Sequence, residues 1–171
     1  MVRLADHLAR EQCVYPSPLI GCPVVLVLDL PEKNRGAGLA LGRYYPIIIE
    51  NEDERAELNA FFDAERPAMV TPDLLDHQPT AFHSDRLIVT RYTPSRPGWP
   101  WISLFYWPKD YRAAAVGQGL SMARGCYTTE LFDTSEARDE HDLLIVQSLR
   151  ERHTLQIQLI SSEIEAGTGR A

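Results

Sequence analysis

The sequence predicts an α+β fold: a mostly antiparallel sheet of about five strands, two hairpins plus one strand, packed by helices, with a long C-terminal helix. Two observations carry this expectation. Short apolar runs of β-forming residues come in pairs separated by turn residues, as hairpins do. Stretches with capping signals and helical spacing stand between those pairs. There is no internal repeat and no low-complexity segment.

Residues 2–12 read as a short helix with a thin stripe of Leu4, Leu8 and alanines. "YPSPLIGCP" breaks it with three prolines and a glycine. "VVLVLDL" (24–30) is a nearly continuous aliphatic run, expected as a strand buried on both faces. After the loop "PEKNRGAG", "LALGRYYPIIIE" supplies a second strand ending near Glu50, and the two make an antiparallel hairpin. The cluster "GAGLALG" (36–42) leads into a β-like run rather than a helix, and no Gly-Lys-Ser/Thr is present, so its glycines read as turn residues.

"NEDERAELNAFFDAER" opens a helix with Asn51 as N-cap and Glu54 completing a capping box. Leu58, Phe61 and Phe62 form its inward stripe, and Pro67 ends it. The irregular 67–85 stretch is long for a compact domain, and loops of this length are often functional. "RLIVTRY" and "WPWISLFYW", joined by "TPSRPG", form the second hairpin. A helix follows over 108–125, opened by Pro108 and weakened by Gly117 and Gly119. "CYTTELF" is a short strand.

The last helix is capped by Asp133, with Glu136 in its first turn. Val146, Leu149, His153, Ile157, Ile160 and Ile164 lie on one helical stripe, while "TLQIQLI" also alternates like a strand. No glycine or proline interrupts the stretch, so one helix to about Ala166 is expected, leaving 1–166 as a single domain and 167–171 as a flexible tail. Leu155 and Leu159 fall off that stripe, and a helix with apolar residues on two faces is either central to the fold or shared between subunits, the second giving a homodimer through this helix.

The net charge of −7 disfavours non-specific DNA binding and an anionic membrane surface. Fifteen of the 17 basic residues are Arg, which fits a GC-rich, bacterial-type coding sequence and also suits bidentate recognition of anions. Cys13, Cys22 and Cys126 form neither a disulfide framework nor a C-x-x-C zinc motif, so they read as thiols of a cytoplasmic protein. The N-terminus lacks the apolar core of a signal peptide, and the longest apolar-rich run (18–28) falls short of the roughly 20 residues of a membrane helix.

Two constellations could carry chemistry. "DHQPTAFHSD" gathers Asp76, His77, His83 and Asp85; His83 and Asp85 could serve acid–base catalysis in a hydrolase, and His77, His83 and Asp85 are candidate metal ligands, with a third group from His141 or His153. No nucleophile elbow is present, and Cys126 precedes a strand, so it reads as structural. The acids crowded at 50–65 and 130–142 read as caps and solvated faces. The second constellation is "RPGWPWISLFYWPKDYR", which holds all three tryptophans. The span 86–112 carries five bases and one acid in an otherwise acidic chain. Along the strand Trp99, Trp101, Ser103, Phe105 and Trp107 share one face; the tryptophans either fill the core with Arg stems over their edges, the favoured reading, or leave Trp99 and Trp107, near the ends, exposed beside arginines as a binding platform. Arg91, Arg96, Trp99, Trp107 and Arg112 are therefore the candidate binding residues. The expectation is a non-catalytic binding or regulatory module that engages a protein or an anionic ligand. A hydrolase of an anionic substrate and a single-strand nucleic-acid binder stacking bases on the Trp face are the alternatives. No cofactor is identified.

Overall fold

The computed structural model describes residues 11–16, 18, 22–65, 86–152 and 156–161. The chain is α+β and forms two compact units, 1–81 and 82–171, each built on its own sheet. Among the described residues seven strands divide into sheets of three and four, so the five expected strands are joined by two more, Glu11–Tyr15 before them and Ile157–Ser161 after them. Among the described residues no helix is long and apolar enough to cross a membrane.

The first unit is an antiparallel meander of β1 (Glu11–Tyr15), β2 (Val24–Asp29) and β3 (Tyr44–Ile49), in that order. Residues 11 and 12 thus open a strand rather than close a helix; the rest of the expected helix lies outside the described residues. The β2–β3 hairpin forms with Val24 opposite Ile49 and Asp29 opposite Tyr44. Every residue of β2 is buried, as its uninterrupted aliphatic run requires. Asp29 ends that run inside the protein, and its carboxylate is held by Arg43 through Nε (2.9 Å) and Nη2 (2.6 Å). The glycine cluster is a turn: Leu41 and Gly42 adopt φ of 50° and 71°, and Gly36 N–H donates to Gly42 O at 3.1 Å.

Helix α1 (Glu52–Glu65) follows. Asn51 caps it by accepting from Glu54 N–H at 2.9 Å, while the Glu54 carboxylate accepts from Glu50 N–H at 2.9 Å. The reciprocal contact therefore falls one residue before the cap. Leu58 packs on a core of Val14, Val24, Leu26, Leu28, Leu30 and Ile49.

The second unit is a four-stranded sheet ordered β6-β5-β4-β7. The expected hairpin forms from β4 (Leu87–Tyr92) and β5 (Trp101–Tyr106), with Arg91 opposite Ser103, and β6 (Tyr127–Phe132) adds antiparallel to β5. After Pro108 the chain makes one tight helical turn (Lys109–Tyr111) and then α2 (Arg112–Gly117). The helix expected over 108–125 stops early because Gly119, at φ +84°, turns the chain, and Leu120 N–H donates back to Ala115 O.

Helix α3 (Ser135–Arg152) is the long C-terminal helix, capped not by Asp133 but by Thr134, whose Oγ1 accepts from Ala137 N–H at 3.1 Å. It does not reach Ala166. Residues Ile157–Ser161 form β7, parallel to β4 from Leu87–Ile157 to Arg91–Ser161. A free edge of β4 offers this β-branched segment a full hydrogen-bond ladder, and that outweighs continuation of the helical stripe. His153 and the 167–171 tail lie outside the described residues.

Candidate functional site

The inward face of the second sheet carries rows of side chains set by register. Arg91, Ser103 and Glu130 form one row across β4, β5 and β6; Val89, Phe105 and Thr128 form the next. Helix α3 lies over these rows and presents residues four apart, Arg138 and Asp142, inward.

Asp142 is fully buried. Its Oδ2 accepts from Arg91 Nε (2.8 Å) and Ser103 Oγ (2.7 Å), and His141 Nδ1 lies 3.3 Å from Oδ1. Arg138, also fully buried, donates from Nε to Asp139 Oδ1 (2.9 Å) and from Nη1 to Tyr92 O (3.4 Å). Its guanidinium sits 5.0 Å over the Trp101 ring. Two buried charges of opposite sign thus rivet α3 to β4 and β5. Ser103, His141 and Asp142 are the residue types of a catalytic triad, but Ser103 donates to the carboxylate and is wholly buried. A nucleophile needs the imidazole as its base and access to substrate, so Ser103 is a strut.

Beside the rivet the sheet and helix part to leave a cavity of about 90 Å³. Phe105, Trp107 and Leu120 line it together with Ile145 and Leu149 of α3. Its polar groups are Gln118, Thr128, Glu130, His141 and Ser148. Trp107 Nε1–H donates to Thr128 Oγ1 at 2.9 Å, which fixes the indole as a wall. Phe105 stacks on Trp107 at 6.2 Å, and the His141 ring, about one-third exposed, stands edge-on to Phe105. Among the described residues no Lys or Arg lines the cavity.

The candidate binding residues do not converge. Trp99 and Trp107 are 9% and 6% exposed, so both ends of the aromatic run are turned inward, as the core reading has it, and do not form an exposed platform. Trp101, on the same face, is only partly buried. Arg96 lies 4.9 Å over Trp99 at one end of β5, while Arg112 at the other end donates to Trp107 O (2.9 Å) and Tyr106 Oη (3.3 Å). The strand between them is roughly 20 Å long. Arg91 is inside, on Asp142. The candidate catalytic and metal residues His77, His83 and Asp85 lie outside the described residues. Of the groups named with them, His141 is placed, at the cavity.

Sequence reading missed Asp142, Arg138, Ser103 and Glu130. One signal was available: Arg91 interrupts the apolar run "RLIVTRY", and a charge in a central strand needs a buried partner. Comparison with family models, curated proteins and solved structures gives no match.

Proposed function

We propose that the protein is a non-catalytic binding module of a bacterial-type cytoplasm, which takes an apolar side chain of a partner protein into the cavity walled by Phe105 and Trp107. The observation that carries this reading is the cavity's size and lining. At about 90 Å³ it is smaller than an engineered cavity of ~150 Å³ that holds benzene, and far below the roughly 300–1,000 Å³ of drug-sized sites. A branched aliphatic side chain matches that room; a nucleotide does not. Gln118, Thr128, Glu130, His141 and Ser148 offer hydrogen bonds to the backbone that carries such a side chain.

An anionic ligand fits this site less well than a peptide, because among the described residues its charged lining is the Glu130 carboxylate. The arginines of the aromatic segment are engaged with Asp142, Trp99, Tyr106 and a backbone carbonyl, so they favour a structural part over anion capture. Thiols rather than disulfides at Cys13, Cys22 and Cys126 accord with a reducing compartment.

N-acetyl-leucinamide is a direct probe, with an isobutyl group flanked by two amides. Titrated against the labelled protein, it is expected to shift the amide resonances of Thr128, Glu130 and His141 and to saturate at about millimolar concentration. Ser148→Trp, which fills the cavity, is expected to abolish the effect. Shifts that do not saturate, or that Ser148→Trp leaves intact, overturn the reading.

A further inference from the structure

The rivet that turns Arg138 and Asp142 inward fixes which stripe of α3 faces out. Glu136, Leu143 and Arg150 lie on that outer stripe, seven residues apart, and all three are exposed, Leu143 by 56%. Seven residues fall about 20° short of two full turns, so the three side chains stand nearly in line. The helix dipole favours acids early and bases late, but it does not choose a face. Here an acid, an exposed leucine and a base share one line, with the leucine midway.

We infer that this stripe is a homodimer interface, in which two copies of α3 pair antiparallel about a two-fold axis at Leu143. An isologous contact must be self-complementary. A two-fold axis at residue 143 brings position 136 of each copy opposite position 150 of the other. Leu143 then meets its own counterpart, and Glu136 meets Arg150 twice. Parallel pairing would instead set like charges together. The two symmetry-related ion pairs and the leucine contact commit the face to a second copy of this chain. Helix α3 is about 27 Å long, and one helix pair buries less than the ~1,200 Å² of standard stable interfaces, so the dimer is reversible in the micromolar range. The proposal stands apart from the cavity, whose α3 residues His141, Ile145, Ser148 and Leu149 are not in the stripe.

Sedimentation equilibrium of the full chain over a low-to-high micromolar series tests it. The native chain is expected to approach the mass of two copies. Glu136→Arg alone and Arg150→Glu alone each set like charges together twice and weaken association roughly tenfold or more. An equimolar mixture of the two single variants restores both attractive pairs and is expected to dimerise, as is the chain carrying both substitutions. Recovery on mixing cannot arise from damaged folding. A native chain that stays monomeric at high micromolar concentration overturns the proposal. So does a dimer that the single reversals leave intact, or one that mixing fails to restore.

Discussion

Asp142 neutralises Arg91 inside the second unit and accepts the Ser103 hydroxyl on the same oxygen. Asp142→Ala removes the 2.8 Å partner of Arg91 and leaves it only the longer ion pair to the part-exposed Asp139, at 3.6 Å; it is expected to cost about 3 kcal/mol, read from the urea unfolding midpoint. Asp142→Asn keeps an acceptor for Ser103 and is expected to cost less. At the cavity wall, Thr128→Val removes the acceptor of the buried Trp107 Nε1–H and should cost about 1–3 kcal/mol. In the first unit, the Asp29 hydrogen bond raises the Arg43 pKa above its ordinary value, against a smaller opposing effect of burial. A folded-state pKa raised in this way gives stability that is complete below the unfolded pKa and is lost only as pH passes the folded one. The Arg43 contribution is therefore expected to be the same at neutral and mildly alkaline pH, so Arg43→Ala should shift the unfolding midpoint equally at both.

Elements whose signals are local were legible in the sequence. The aliphatic run of β2, the two hairpins and the Asn51 cap each follow from a few neighbouring residues, and each stands where it was expected. Residues 157–161 show the other case. Ile157 and Ile160 suit a helical stripe, and which structure they take depends on a distant event, the open edge of β4. Ile160→Ala checks the outcome: in β7 this residue is 7% exposed, so truncation is expected to cost about 2–5 kcal/mol. The candidate site was legible only in part, for the same reason. The shared face of Trp101, Ser103, Phe105 and Trp107 follows from strand periodicity, and α3 does cover that face. Asp142 reads as one of the acids of a solvated face, because nothing in its own neighbourhood announces the buried Arg91 across from it.

At the scale of the whole chain, each unit has its own apolar cluster, around Leu26 and Leu28 in the first and around Val89 and Phe105 in the second. The chain's net charge of −7 vanishes near its isoelectric point of about 5.2, so turbidity is expected to peak there and to clear on either side. The buried pair Arg91–Asp142 has a mechanical consequence as well. A cylinder packed only through oily contacts can roll on the surface beneath it. A slip by one residue would turn α3 by about 100° and carry Asp142 away from both of its donors. The pair works as a key in a keyway: it holds the helix to one angular setting, so the walls of the pocket and the outer line through Leu143 are indexed by the same pin.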